Sequence, residues 1–357
     1  MREKRATLKS IAAELGVTHT SISNAYNNPA KISAELRARI LAHAARVHYE
    51  GPNPAARSLR TGRCGAIGVV FNDQLSYAFA DAHDVAFLHG ISTICESDGA
   101  NIVLIPLQNK NQVKLDRLTA IVDGYILNAP YRDDPGTLTA LARGLPTVVV
   151  DFDAPGHTSV LTNDRAAMDE MTRHILALGH RKIGIITFPH HAGFEEMFTL
   201  DLPLENDNYV VHERMLGCRQ AIEAGQIAAS DVLVCETVNS EDGGMKAARR
   251  LFEKEPAITA LICFSDRLAY GAIALCRERR LQVPDDVSVT GFDDIPSFDR
   301  DPGLPRLTTI RQNAFAKGRK AAEALLRPTG GGARNIRIDA TFIAGTSSGA
   351  VHRGNPG

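Results

Sequence analysis

The chain lacks the features that would place it in a membrane or outside the cell. Its N-terminus, MREKRATLKS, contains no apolar stretch, and no run of about 18 apolar residues occurs anywhere in the chain. The six cysteines, at positions 64, 95, 218, 235, 263 and 276, are scattered and include no CxxC pair. These absences argue against a signal peptide, a membrane span, a disulfide framework and a zinc site. They predict a cytoplasmic protein with reduced thiols.

A large net charge is also absent, because the two signs of charge are segregated along the chain. Residues 1–63 hold 11 Lys/Arg against 4 Asp/Glu, a net of +7, whereas the other 294 residues hold 29 against 37, a net of −8. A small basic segment on a larger acidic body is typical of a nucleic-acid-binding module that is joined to a domain with another role.

The basic segment contains a pattern of two short helices. Residues 7–26 read TLKSIAAELGVTHTSISNAY, in which Thr7 and Thr18 each precede a stretch with helical spacing of apolar residues. Gly16 separates the two stretches and allows a tight turn. This pattern predicts a helix-turn-helix, whose second helix enters the DNA major groove. A helical hairpin in an ordinary bundle is the alternative.

The second helix carries the polar residues that we expect to read bases, His19, Thr20 and Asn24. The residues of the head expected at the DNA interface are Thr7, Thr18, His19, Thr20, Ser23 and Asn24. Ser33 is predicted to cap a third helix that runs to about Val47, which completes a head over residues 1–50.

Residues 51–63, GPNPAARSLRTGR, form a predicted linker. Asn53-Pro54 is a good helix start, but the helix that follows, residues 55–59, is too short to persist alone in water. We therefore expect this hinge helix to fold only when a partner stabilises it.

The body, residues 64–347, alternates apolar strands with helical stretches. The predicted strands are 66–71, 101–106, 123–127, 147–150, 182–187, 231–235, 260–264 and 286–292. Continuous apolar strands between helices indicate parallel sheets that are buried on both faces, and their number favours two doubly wound subdomains. IRIDATFI, residues 336–343, is predicted to complete the second sheet. The tail, 348–357, has no heptad pattern, which favours a dimer over a tetramer.

Polar residues follow several of these strands, at the edge where parallel sheets bind ligands. Asn72 and Asp73, with Phe79 nearby, follow the first strand, and Asp151, Ser265 and Asp293 follow later ones; Arg214 opens a helix beyond strand 182–187. Carboxylates and an arginine bind hydroxyls, and an aromatic ring covers an apolar face. Each carboxylate could instead cap a helix or close a turn, a structural role that we favour for Asp266 and Asp294.

The same motifs resemble those of the LacI/GalR family of bacterial transcription regulators. The resemblance rests on TLKSIAAELGVTHTSISNAYN, ISAELRARI, NPAARSLRTGR, IGVV, LGHRKIGII, VPDDVSVTGFDDI and LTTIRQ, in that order along nearly the whole chain. It implies an all-α helix-turn-helix head on an α/β body of periplasmic-binding-protein type, in which the chain crosses between two subdomains three times. It also implies a homodimer that binds a pseudo-palindromic operator in double-stranded DNA.

The resemblance assigns roles to particular residues. Leu59, with Ala56 and Arg57 beside it, matches the hinge-helix leucine that wedges into the minor groove and kinks the duplex; packing of Leu59 on the body is the alternative. The family's effector contacts match Phe79, Asp151, Arg214, Ser265 and Asp293. The implied effector is a sugar or sugar derivative, although a nucleoside fits the same residues.

Three departures from the family pattern limit what carries over. Asn24 stands where a basic or long polar residue is common, and Ser265 stands where asparagine is common. The segment 188–212 is longer than usual and contains Phe194, Phe198, Tyr209, His190, His191 and His212. It is predicted to be either a lid over the cleft or a variable surface loop. The histidines lack the spacing of a metal site, so we expect no metal.

Three functional classes are compatible with parts of this sequence. The first is an effector-gated DNA-binding regulator, acting as a repressor of a carbohydrate-utilisation operon, with the effector as inducer or as corepressor. The second is a cytosolic or periplasmic sugar- or nucleoside-binding protein, which the basic head disfavours. The third is an enzyme, but the chain contains no P-loop, GxSxG, GxGxxG after the first strand or HExxH. The first class is therefore predicted, with no cofactor and no membrane partner.

Overall fold

The computed structural model describes residues 6–52, 62–72, 74–107, 121–191, 196–203, 207–295 and 303–351. The chain divides into two compact units, Met1–Gly65 and Ala66–Gly357. We call the first unit the head and the second the body.

In its described residues the head contains three α-helices, α1 (Leu8–Leu15), α2 (His19–Asn27) and α3 (Ala34–Arg46), and a short 3-10 helix at Pro29–Lys31. Each α-helix begins at the residue that the sequence predicts: the side chains of Thr7, Thr18 and Ser33 accept the N–H groups of Ser10, Ser21 and Leu36. Gly16 ends α1 with a φ of +64°, a left-handed conformation that favours glycine. The predicted helix-turn-helix is therefore present.

A small apolar core holds the three helices together. Ile11, Ile22 and Ile40, one from each helix, are fully buried. Two arginines of α3 form hydrogen bonds to the other helices. Arg39 donates to the carbonyl of Leu15 over 2.8 Å, and Arg37 donates to the carbonyl of Ala25 over 3.1 Å. These carbonyls lie in the last turns of α1 and α2, where a helix leaves carbonyls without internal partners.

The body contains a first sheet in the order β12-β5-β4-β3-β1-β2, and every neighbouring pair in it is parallel. Its strands are β1 (Ala66–Phe71), β2 (Asn101–Pro106), β3 (Tyr125–Asn128), β4 (Thr147–Val150), β5 (Thr158–Thr162) and β12 (Asn335–Ile338). Its helices are α4 (Leu75–Ala78), α5 (Ala82–Asp98), α6 (Pro135–Ala142) and α11 (Ala314–Leu326). Helices α5 and α11 touch closely, since a Cβ at Gly318 would lie 2.0 Å from the carbonyl oxygen of Phe87.

The second sheet has the order β10-β9-β6-β8-β7. Its strands are β6 (Ile183–Thr187), β7 (Met197–Thr199), β8 (Leu233–Glu236), β9 (Ala260–Cys263) and β10 (Ser288–Thr290), and β7 alone in this sheet runs antiparallel to its neighbour among the described residues. The helices of this subdomain are α7 (Asp164–Ala177), α8 (Tyr209–Ala224), α9 (Glu241–Lys254) and α10 (Asp266–Glu278).

In its described parts, the chain crosses between the two subdomains three times. It leaves the first sheet between β5 and α7, returns between β11 (Thr309–Arg311) and α11, and leaves again between β12 and β13 (Thr341–Ile343). Strands β11 and β13 form a separate two-stranded sheet. The predicted fold class, a helix-turn-helix head with a body of two doubly wound subdomains, is confirmed.

The prediction that residues 336–343 complete the second sheet was wrong. The first half of this stretch, β12, pairs in parallel with β5 of the first sheet, and the second half, β13, pairs antiparallel with β11. The stretch has the composition of one strand, but it breaks at Asp339-Ala340, where the N–H of Ala340 donates to the side chain of Asn163 over 2.7 Å. The stretch is therefore divided between two sheets, and its break lies beside the crossover residue Asn163.

Within the described residues, none of the helices combines the length and the apolar character that spanning a bilayer requires.

Candidate functional site

A cavity of about 570 Å³ lies between the two subdomains of the body, at the carboxyl ends of their strands. This is the edge at which parallel sheets bind ligands. The lining residues of the first subdomain include Asn72, Tyr77, Asp81, His83, Asp84, Asn128 and Asp151. Those of the second subdomain include Phe188, Asn239, Ser265 and Asp293, which follow strands, and Arg214, which lies on α8.

Asp151 follows β4 and is held by a lysine that the sequence analysis did not single out. Its Oδ2 accepts a hydrogen bond from Nζ of Lys317, a fully buried residue of α11, and the two atoms lie 2.5 Å apart. Lys317 also donates to Oε1 of Gln312, and Gln312 in turn donates to Asp293. A buried polar chain therefore joins Asp151 of the first subdomain to Asp293 of the second. Gln312, which links Lys317 to Asp293, lies in the crossover between β11 and α11.

Arg214 on α8 is 3% exposed and is positioned from three sides. Its Nε donates to Oδ1 of Asp164 over 2.7 Å, its Nη1 donates to the carbonyl of Phe264, and its guanidinium carbon lies 3.5 Å above the Phe292 ring. Burial raises the pKa of Asp164, and the charge of Arg214 opposes this shift. These contacts use only part of the guanidinium's five N–H groups, so others can donate to a ligand.

Ser265 lines the cavity but its hydroxyl has structural partners. It caps α10 by accepting the N–H of Leu268, and it donates to Oδ1 of Asn239 over 2.5 Å. Asn239, which follows β8, donates to the hydroxyl of Tyr77 over 2.8 Å. Ser265 thus holds an asparagine that reaches across the cavity to the first subdomain.

Asp293 follows β10 with a φ of +122°, which a residue with a side chain rarely adopts. Burial raises its pKa to about 6. Its neighbour Asp266, at the start of α10, is 1% exposed, and burial together with the charge of Asp293 raises its pKa to about 7. Asp266 accepts the hydroxyl of Thr309 over 2.5 Å and the N–H of Ile295 over 2.8 Å. Asp266 therefore has the structural role that the sequence favoured. Asp294 has one as well, because its Oδ2 accepts a hydrogen bond from Nε of Arg311 over 2.6 Å.

The remaining predicted effector residues have different outcomes. Asn72 lines the cavity. Phe79 is 62% exposed and is absent from the described lining. Asp73 lies outside the described residues.

Sequence reasoning missed a polar cluster on the first subdomain, formed by Asp81, His83, Asp84 and Asn128. Oδ1 of Asp81 accepts the N–H groups of His83 and Asp84 at the start of α5, and Oδ2 accepts the guanidinium of Arg267 over 3.3 Å. Asn128 ends β3 and donates to Oδ1 of Asp84 over 3.1 Å. Asn128 could have been predicted from the sequence because it ends a strand. His83 and Asp84 lie inside a helix, so no strand end marks them in the sequence.

One trio in this cluster has the composition of a metal site. Ligand atoms of Asp81, His83 and Asp84 lie within 4.8 Å of one another. However, both oxygens of Asp81 already accept hydrogen bonds, one of them from Arg267. Asp81 therefore has no oxygen free of a hydrogen bond to offer a metal ion, which disfavours a metal at this trio.

The long segment at 188–212 is packed in its described parts. His190 contacts Oε1 of the buried Glu236 over 2.5 Å, and β7 adds an edge strand to the second sheet. The segment also reaches the first subdomain, because the carbonyl of Asp207 accepts the N–H of Arg132 over 2.9 Å. Phe188, Pro189 and Asn208 line the cavity, a placement that fits a cover over the cleft better than a variable surface loop. Phe194 lies outside the described residues.

The predicted DNA-reading residues lie together on the head. His19 and Thr20 are exposed in the first turn of α2, Ser23 and Asn24 are half-buried on its next turn, and the capping residues Thr7 and Thr18 are exposed. Side chains at the N-terminus of an exposed helix can reach base edges in a major groove. The predicted hinge residues Ala56, Arg57 and Leu59 lie outside the described residues.

Comparisons with known proteins cover both units of the chain. The family model of the periplasmic binding protein-like domain matches residues 172–348. An HTH-type transcriptional regulator of Mycolicibacterium smegmatis is 37% identical over an alignment of 359 positions, which covers 97% of this chain and 97% of that one.

Solved structures of transcriptional regulators are similar to this chain over nearly its whole length. A LacI-family transcriptional regulator from Corynebacterium glutamicum is 30% identical, with a TM-score of 0.69 over 98% of this chain and 100% of that one. The transcriptional regulator CelR in complex with cellobiose has a TM-score of 0.68 at 22% identity, over 96% of this chain and 100% of that one, and this likeness concerns the fold alone.

Proposed function

Since the chain belongs to the LacI/GalR family of transcription regulators, we propose that it represses a carbohydrate-utilisation operon under the control of a sugar or sugar derivative. The chain is an effector-gated DNA-binding regulator and not an enzyme. The operon, the class of effector and the residues that bind it are the parts that we propose.

The proposed effector site is the cavity of the body. Asn72, Asp151, Arg214, Ser265 and Asp293 all line it, which supports their assignment as effector-binding residues, with Ser265 acting through Asn239. Carboxylates, amides and a guanidinium suit a ligand with many hydroxyls, and Tyr77 and Phe188 offer aromatic faces. The size of the cavity lies within the range of small-molecule sites. Phe79, which is exposed outside the lining, is left out of the proposed site.

The observation that carries the gating is the polar chain Asp151–Lys317–Gln312–Asp293. It links the two subdomains through a crossover connection and borders the cavity at both ends. A ligand that contacts Asp151 and Asp293 changes the relative free energies of different angles between the subdomains. Coupling of this kind is typically worth about 1–3 kcal/mol.

For DNA, we propose a homodimer that presents two heads to half-sites about one helical turn apart in a pseudo-palindromic operator, in the cytoplasm at the nucleoid. His19, Thr20, Ser23 and Asn24 contact bases, Thr7 and Thr18 contact the backbone, and lysines and arginines of the head contact phosphates. Ala56, Arg57 and Leu59 belong to a hinge helix that forms on the DNA, where the Leu59 pair kinks the operator.

The test is binding of the full chain to a fluorescently labelled copy of the DNA upstream of its own gene, measured by anisotropy at fixed salt. Unlabelled DNA of equal length and unrelated sequence is the competitor, so that sequence-specific binding is separated from phosphate binding. We expect specific binding whose affinity one member of a panel of sugars and nucleosides changes. If specific binding is absent with every compound, a cytosolic ligand-binding protein without a regulatory role is the better description.

A further inference from the structure

The cluster on the first subdomain contains more hydrogen-bond acceptors than donors. Asn128 is 7% exposed and lines the cavity, and within the described residues its Oδ1 has no hydrogen-bond partner. Nε2 of His83 is likewise buried without a partner in the described part of the chain. Leaving a buried polar atom without a partner is unfavourable, so a ligand that donates a hydrogen bond to Oδ1 of Asn128 binds more tightly.

The charges around the cavity also favour a donor. Four carboxylates are in the described lining, those of Asp81, Asp84, Asp151 and Asp293. The cations that the structure describes nearby are each paired with a carboxylate: Arg214 with Asp164, Lys317 with Asp151 and Arg267 with Asp81.

Among the described residues, no lysine or arginine pairs with Asp84 or Asp293. Nδ1 of His83 lies 3.5 Å from Oδ1 of Asp84. Burial lowers the pKa of His83, but its hydrogen bond to Asp84 and the charge of Asp293 outweigh burial and raise it. Even a charged imidazole would leave one of the two carboxylates without a balancing charge.

The helix terminus beside the cluster does not reverse this preference. The N-terminus of a helix normally attracts anions through its free N–H groups. Here Oδ1 of Asp81 already accepts the N–H groups of His83 and Asp84, over 3.0 and 3.2 Å. An anionic ligand would meet carboxylates at this end of the cavity.

We propose that Asp84 and Asn128 form a subsite that binds a hydrogen-bond donor of the effector, a hydroxyl or an ammonium group, and rejects phosphate and carboxylate groups. The effector is then a neutral or amine-bearing polyol, and sugar phosphates, uronates and nucleotides are excluded. This assignment rests on the proposed function, because it concerns the same cavity.

The first experiment compares matched ligands by their protection of the full chain against thermal unfolding. Each sugar, sugar alcohol and nucleoside is tested beside its phosphate ester. Glucose, glucosamine and glucuronate are also compared, because they differ in carrying a hydroxyl, an ammonium or a carboxylate group. We expect protection by an uncharged or amine member, and an affinity at least about tenfold lower for its anionic counterpart. Stronger protection by the phosphate or carboxylate form overturns the proposal, and so does protection by no member.

The second experiment tests the residues with the compound that protects best. Asp84→Asn and Asn128→Leu should each weaken its binding at least about tenfold, the loss expected for a hydrogen bond to a buried polar group. Glu96→Gln, an exposed carboxylate on the same helix α5, is the matched control and should leave binding unchanged.

The ligand-free proteins separate binding from a structural role. Without ligand, Asp84→Asn should melt no more than about 2 °C below the parent protein, because an amide can keep the contact with Asn128. A large fall in melting temperature with ligand affinity unchanged would mean that Asp84 is structural and would overturn the subsite. Specific operator binding by the same variants, measured without ligand, shows whether the regulatory function itself holds.

Discussion

Removal of the buried cation Lys317 tests the polar chain that links the two subdomains. Lys317 is 0% exposed and its partner Asp151 is 5% exposed, with 2.5 Å between Nζ and Oδ2. Lys317→Met keeps the length of the side chain and removes its charge. Asp151 is then left as a buried carboxylate without a cation, a change that costs about 3–5 kcal/mol.

The second variant removes both charges. The double variant Asp151→Asn with Lys317→Met removes both charges of this pair, so neither partner remains as an unpaired buried charge. The asparagine can still accept a hydrogen bond from the hydroxyl of Thr162, which lies 3.3 Å from Oδ1 in the parent protein. Replacing a buried ion pair by neutral groups is often close to neutral in free energy. We therefore expect the double variant to recover most of the stability, to within about 2 kcal/mol of the parent protein.

The assay is urea unfolding followed by circular dichroism at one pH and one protein concentration, because assembly makes stability depend on concentration. With a slope of about 3 kcal/mol per molar urea, Lys317→Met should lower the midpoint by roughly 1 M or more. Lys320→Met is the control: this lysine lies on the same helix α11, is 41% exposed and pairs with Glu323 at the surface, so its loss should cost less than about 1 kcal/mol. A Lys317→Met protein as stable as this control, or a double variant no better than the single one, would refute the reasoning.

Four further predictions concern other parts of the chain. Leu59→Ala should weaken operator binding strongly and leave effector affinity nearly unchanged, as measured by anisotropy and calorimetry. Thr18→Ala removes the cap of α2 and should cost the head about 1 kcal/mol, with a matching loss of operator affinity. Gly318→Ala should destabilise the body by at least about 1–3 kcal/mol because its Cβ would meet the facing helix, whereas Gly331→Ala, in open space, should not. Acidification from pH 8 to pH 5 should stabilise the protein through Asp266, and Asp266→Asn should reduce that gain.

The sign of the pH effect follows from the raised pKa of Asp266, which burial moves to about 7. The folded state holds this proton more tightly than the unfolded state, so the contribution to stability is fully present below about pH 4 and is lost as the pH rises through about 7. In that window the slope approaches about 1.4 kcal/mol per pH unit for one proton. A flat profile, or an unchanged profile in Asp266→Asn, would contradict it.

The other three predictions have equally plain refutations. Unaltered operator binding by Leu59→Ala would exclude the wedge. Normal operator affinity in Thr18→Ala would mean that the cap does not order the reading helix. Equal stability of Gly318→Ala and Gly331→Ala would mean that the two helices can separate without cost.

Local chemistry made much of the fold predictable from the sequence. Thr7, Thr18 and Ser33 have side-chain oxygens that accept N–H groups three residues ahead, so each helix start could be identified from neighbouring residues. The buried parallel strands were predictable because apolar residues occupy both of their faces. Of the candidate site, Asn72, Asp151, Ser265 and Asp293 could be found because the carboxyl ends of parallel strands meet at one edge.

The errors and omissions share a different cause. Lys317 lies in a helix with other charged residues and resembles a surface lysine, yet it is buried against a carboxylate 166 residues away in the chain. The stretch 336–343 has the composition of one strand, but its two halves pair with partners in different sheets.

The sequence by itself determined the helix starts, the alternation of strands and helices, the segregation of basic head from acidic body, and the family. These depend on contacts within a few residues or on composition. Only the tertiary structure decided which charges are paired, which acceptors lack partners and which side of the cavity is anionic. Those properties depend on burial and on distances between residues far apart in the chain, and the electrostatic free energy of a charge is set by these two quantities.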